Sequence, residues 1–115
     1  MKREFDLYLK DILKSIEKIE SYVNDDSFDE FKKKDIVIDA VSNNLLIIGE
    51  ASSQLQEEIK NKYTNVPWRE IIGFRNIGIH KYHSLNLERV WSIIKEKLPK
   101  LKEDIQEILK KERDN

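Results

Sequence analysis

Cysteine is absent from this chain, which excludes disulfides, thiolate nucleophiles and thiolate metal ligands. Glycine occurs three times and proline twice in 115 residues, so little interrupts helix formation. Strand-like alternation and internal repeats are also missing. No run of about 18 apolar residues exists to span a bilayer. The opening MKREFDLYLKDIL reads as an amphipathic helix, not as a signal peptide. Charge of one sign is lacking too: 21 basic residues face 22 acidic ones, a net charge of −1. That balance removes the easy argument for nucleic acid, which a strongly basic domain would announce, so any RNA-related function must rest on a local site. These absences predict a soluble cytoplasmic protein with no membrane contact.

What remains is rich in Lys, Glu, Ile and Leu, with 37% of residues charged and 39% hydrophobic. The length fits one domain over residues 1–115, and such a domain buries roughly 65% of its unfolded surface without staples. The first helix is expected from about Arg3 to Val23, its stripe being Phe5, Tyr8 or Leu9, Ile12, Ile16, Ile19 and Val23. Asn24-Asp25-Asp26-Ser27 then breaks the pattern and offers capping side chains.

A long second helix is expected from about Phe28 to Lys62. Phe31, Ile38, Val41, Leu45, Ile48, Leu55 and Ile59 keep one register, with Ser52 filling a gap. Ile36, Ala40, Ile47 and Ala51 form a second stripe beside it. Two stripes on one helix mean either two neighbours within the bundle or a partner surface; a small bundle has limited interior, which favours self-association. Lys32-Lys33-Lys34 reads as a solvated face rather than a phosphate track.

Pro67 opens a short helix through WREIIGFRNIGIHKY, in which Gly73 and Gly78 each cost about 1 kcal/mol relative to alanine. Glycines at such a cost often mark close backbone approach. Asn86 is placed to cap the last helix, whose apolar face is Leu87, Val90, Trp91, Ile94, Leu98, Leu101, Ile105 and Ile108. Pro99 is expected to kink that helix, and KKERDN to fray. Trp68 and Trp91 read as core anchors rather than stacking platforms. The sum is an all-α, up-and-down four-helix bundle with one short helix.

The rarer polar chemistry sits on that short helix, in RNIGIHKYH at 75–83, which holds both histidines. On a helical wheel Arg75, Asn76, His80, Tyr82 and His83 share one arc roughly 160° wide. Ile72 and Ile79 lie within that arc, while Phe74 and Ile77 face away. Asn76 and His80 are one turn apart and can meet. Arg75 and His80 are about 140° apart, so they converge only on an object lying across the helix or on a second subunit. Histidine can move a proton near neutral pH. Arginine can hold a phosphate as charge builds on it. Asn76, Lys81 and Tyr82 can bind or stack on the same substrate. If the nucleophile is the 2′-hydroxyl of RNA, no metal or other cofactor is needed. A zinc site at His80 and His83 is the competing reading, without a carboxylate or thiolate to complete it.

RNIGIHKY matches the R-x-x-x-x-H-x-Y signature of HepT-like proteins, within the HEPN class of helical ribonuclease domains. IIGEA at 47–51, VPWREIIGFRN at 66–76, LERVW at 87–91 and LPKL at 98–101 resemble the family pattern in order. The resemblance covers nearly the whole chain. It implies a four-helix bundle that pairs as a homodimer, with two signatures facing one cleft. It implies a metal-independent endoribonuclease with Arg75 and His80 as the catalytic pair, leaving a 2′,3′-cyclic phosphate and a 5′-hydroxyl. It further implies a prokaryotic toxin–antitoxin pair: a toxin neutralised by a nucleotidyltransferase-type antitoxin, which transfers AMP to Tyr82. Asn86 stands where the family often has aspartate, a change that concerns a helix cap. The alternative is a non-catalytic subunit whose cleft binds a nucleotide or the partner enzyme. A purely structural helical dimer is the third reading.

Overall fold

The computed structural model describes residues 2–79 and 86–113, with side chains for 6–77 and 86–113. Helix α1 spans Lys2–Val23. Its Leu9, Ile12, Ile16, Ile19 and Val23 are buried, so Leu9 rather than the partly covered Tyr8 carries the stripe. Each fully buried branched side chain contributes on the order of 1.5–3 kcal/mol. Phe5 lies outside the described side chains. Asn24 closes the helix in the left-handed region at φ 42°, a conformation asparagine tolerates better than most residues. Its N–H donates to the Glu20 carbonyl at 2.8 Å.

The expected long second helix is three helices: α2 (Phe28–Phe31), α3 (Asp35–Gln54) and α4 (Glu57–Lys62). Ser27 starts α2 with a capping box, its hydroxyl accepting from the Glu30 N–H while the Glu30 carboxylate accepts from the Ser27 N–H. The first break falls on Lys32-Lys33-Lys34, which are exposed and bring no apolar side chain to hold a helical turn against the core. Lys34 is drawn back to Asp26 at 2.9 Å, and Lys32 to Asp29 at 3.2 Å, so this run is a solvated face. The second break is at Leu55 and Gln56, both extended. It leaves α4 against the end of the last helix, where Lys62 and Tyr63 both donate to Glu112.

Helix α5 (Trp68–Ile79) begins one residue after Pro67, whose carbonyl accepts the Ile71 N–H at 3.0 Å. Trp68 anchors it, being buried with its Nε1–H donating to the Tyr63 carbonyl at 3.0 Å. Helix α6 (Leu87–Ser92) carries the expected Asn86 cap, whose side chain accepts from the Arg89 N–H at 3.1 Å. A π-helical turn over Ile93–Lys97 joins α6 to α7 (Leu98–Arg113). Here the expected kink at Pro99 takes another form. Proline has no N–H to donate and its ring crowds the carbonyl four residues back. The turn before it therefore widens, and Leu98 donates to the Ile93 carbonyl five residues away. Of the tail expected to fray, Asp114 and Asn115 lie outside the described residues, and the rest is solvated but helical. α7 stays helical through Arg113, and Glu112 is tied to Lys62 at 2.8 Å.

Helix α3 is the centre of the bundle, packed on α5 along one flank and on α1 along the other, with α7 against α1. The chain is thus an all-α bundle whose four arms are α1, α3, α5 and the continuous α6–α7 rod. Lys102 to Glu20 at 2.9 Å links α7 to α1. Trp91 packs against the core as expected, though it is not fully inside it. It is half-buried, lies 5.0 Å from the Phe31 ring, and carries Lys95 over its face at 4.8 Å. Among the described residues, no helix is long and apolar enough to cross a membrane.

Candidate active site

The first stripe of the central helix is fully inside: Ile38, Val41, Leu45, Ile48 and Ser52 are buried. The second is not, although α3 has a neighbour on both flanks. Ile36 is 85% exposed and Ile47 is exposed, while Ala51 is covered. An open groove of about 340 Å³ runs between α1 and α3, with Leu46, Ile47 and Ala51 on one wall, Tyr8 and Asp11 on the other, and Glu50 at its edge.

Arg75 stands on α5, the helix packed against α3. Phe74 and Ile77 on the same helix point into the core, which turns Arg75 outward and leaves it half-buried, with Asn76 next to it exposed. Its backbone is pressed against Gly49 of α3. A Cβ on Gly49 would lie 2.5 Å from the Arg75 nitrogen, 2.7 Å from the Arg75 Cβ and 2.9 Å from the Ile72 carbonyl oxygen. The close approach expected of Gly73 is absent: a Cβ there would meet nothing within 4 Å. Gly49 is the glycine the packing requires, because it lies at the crossing of α3 and α5 whereas Gly73 faces open space.

The tip of Arg75 is held by the residue after that glycine. Arg75 Nη1 lies 3.6 Å from Glu50 Oε1, with the two side chains 41% and 52% exposed. Base and tip of the arginine are therefore both governed by the consecutive pair Gly49-Glu50. Within IIGEA neither Gly49 nor Glu50 has a role that the sequence alone assigns. The available signal was a glycine and a carboxylate closing the apolar run LLII.

His80, Lys81, Tyr82 and His83 lie outside the described residues, so of the expected site Arg75 and Asn76 are placed. What the placed part offers is a permanent cation with five N–H donors on the exposed face of α5, beside a neutral amide. Among the described residues, no group of three or more His, Cys, Asp or Glu side chains could hold a metal ion.

Comparison with known proteins identifies the chain's relatives. The family described as "Ribonuclease HepT-like" matches residues 12–108. A protein of Methanocaldococcus jannaschii named "Putative RNase MJ1380" is 38% identical over 105 residues, covering 91% of this chain and 96% of its own. "Probable ribonuclease HepT" of Thermococcus cleftensis is 34% identical over 110 residues, 96% of this chain and 100% of its own. A longer M. jannaschii protein, "Gamma-glutamylcyclotransferase and putative RNase MJ0434", is 40% identical over 109 residues. That match takes in 95% of this chain, which spans about half, 49%, of the longer protein. No solved structure matches the chain. With most of its length matched by the family and by relatives of its own size, the chain belongs to the HepT-like ribonuclease family.

Proposed function

We propose that this chain is a metal-independent endoribonuclease that acts as a homodimer and serves as the toxin of a toxin–antitoxin pair. The observation that carries the reading is the placement of Arg75. It is pinned by Gly49 on an exposed helix face and leads directly into the HKYH segment. In the proposed reaction His80 accepts the proton of a 2′-hydroxyl as that oxygen attacks the adjacent phosphorus. The 5′-oxygen leaves and takes up a proton from water, giving a 2′,3′-cyclic phosphate and a 5′-hydroxyl, and His80 returns its proton to solvent. Arg75 offsets the charge that builds on the phosphoryl oxygens. Asn76, Lys81 and Tyr82 hold the strand. The exposed Ile36 and Ile47 on α3 support the dimer, because a second copy would cover them.

Regulation follows from Tyr82. A nucleotidyltransferase-type antitoxin that transfers AMP to its hydroxyl would place bulk and negative charge near Arg75 and compete with RNA for it. The setting is the cytoplasm, where both RNA and ATP are available.

The test is cleavage of single-stranded and structured RNA by the purified protein with EDTA present, followed by analysis of product ends. Activity that depends on His80, with cyclic phosphate ends, supports the reading; cleavage by His80→Ala at the wild-type rate contradicts it. Mass spectrometry after co-expression with the partner and ATP should show added AMP that is lost in Tyr82→Phe. A second reading, a non-catalytic subunit that binds a nucleotide or the partner enzyme, is favoured by the net charge of −1, which supplies no overall electrostatic attraction for RNA. Tight nucleotide binding with no turnover of any RNA would select it.

A further inference from the structure

The ion pair between α3 and α5 is long and open to solvent. Its 3.6 Å separation is longer than the 2.7–2.9 Å typical of a charge-assisted hydrogen bond, and both side chains are about half exposed. Exposed pairs of this kind add little to stability. Yet the pair sits on the one arginine of the expected catalytic set, next to the glycine that fixes the backbone of that arginine.

We propose that Glu50 is a positioning residue for Arg75: its carboxylate keeps the guanidinium extended in the free protein and is exchanged for an RNA phosphate when substrate binds. The inference rests on the ribonuclease reading of Arg75. An arginine side chain has many rotamers, and a catalytic cation must be held near its working position before the substrate arrives. Gly49 fixes where the Arg75 chain starts, and Glu50 limits where it ends. The contact is loose enough to be exchanged. One edge of the guanidinium faces Glu50, and the fork retains further donors for a phosphate. A phosphodiester carries one negative charge, as does the carboxylate, so the swap leaves no cation unpaired. The released carboxylate has room, because Glu50 edges the open groove between α1 and α3 and is reached by solvent.

Two opposite effects follow from removing the charge in Glu50→Gln. RNA loses a competitor for Arg75 and binds more tightly. Arg75 loses its guide, and the chemical step slows. A residue that merely stabilised the fold would move neither quantity in this way.

The experiment measures two quantities for the wild type, Glu50→Gln, Arg75→Ala and the double variant. One is binding of a 2′-O-methyl RNA oligonucleotide, which keeps the phosphates and lacks the nucleophile; the other is kcat and KM on unmodified RNA. Arg75→Ala should weaken binding. Glu50→Gln should tighten it about two- to fivefold and lower kcat by a similar or larger factor, with the melting temperature unchanged. In the Arg75→Ala background Glu50→Gln should change nothing. Loss of binding in Arg75→Ala with no effect of Glu50→Gln overturns the positioning role alone, as does an equal effect of Glu50→Gln with and without Arg75. Binding unchanged in Arg75→Ala overturns the phosphate-clamp reading and the positioning role with it.

Discussion

Gly49 and Arg75 meet across the α3–α5 crossing so closely that a single methyl group on the glycine would lie 2.5 Å from the arginine backbone nitrogen. No rotamer change relieves that contact, because the obstacle is main chain. Gly49→Ala is therefore expected to push the two helices apart, costing about 1–3 kcal/mol, and to displace Arg75 with loss of RNA cleavage. Gly73→Ala supplies the contrast. With nothing within 4 Å, it should gain up to about 1 kcal/mol from helix propensity and leave cleavage unchanged. Urea denaturation and a cleavage assay on both variants check the pair.

Dimer formation should be separable from folding. Ile36 is so exposed within one chain that Ile36→Glu should change protomer stability by no more than about 0.5 kcal/mol, whereas the added Ile47→Glu, at a groove wall only 36% exposed, should cost more. A charge on a buried dimer face is far less tolerable. Sedimentation velocity should show the wild type as a dimer and the double variant as a folded monomer with cleavage lost. A variant that stays dimeric places the interface elsewhere.

Alkaline stability should depend on Tyr63. Burial, then its hydrogen bond to the Glu112 carboxylate, push its hydroxyl up to about 12. The folded protein thus binds this proton more tightly than the unfolded chain does. The resulting stability is complete below about pH 10 and is lost as the pH rises toward 12. Tyr63→Phe should be less stable than the wild type at neutral pH and should show a shallower decline over that window in denaturation at stepped pH. An unchanged decline would assign it to other groups.

Much of the bundle was legible because burial follows period. The α1 stripe, the α3 core register and the Asn86 cap stand where spacing and capping chemistry put them. The breaks at residues 32–34 and 55–56 were not legible, since Phe31, Ile38, Leu55 and Ile59 keep helical spacing across both interruptions and all become buried. Periodicity reports which residues go inside, not whether the turn between them is helical. Glycines posed the same difficulty. Sequence shows the cost of Gly73 and Gly49 alike, and only the packing of α3 on α5 shows which one is needed. The role of Glu50 is not legible in the sequence for a related reason, because its tie to Arg75 joins residues 25 positions apart. At Pro99 the cause was read correctly and the response was not: a π-helical turn absorbs the missing donor.

The proposed active site is one cleft built from the Arg75 and His80 side chains of two subunits. Mixed dimers test it most directly. Arg75→Ala and His80→Ala chains carrying different tags are co-expressed, the heterodimer is purified through both tags, and RNA cleavage is measured beside each parent homodimer. A shared cleft predicts that the mixed dimer, which retains one arginine and one histidine, cleaves well above either parent. Cleavage no greater than that of the parents would mean that each protomer works with its own pair, and would contradict the shared cleft.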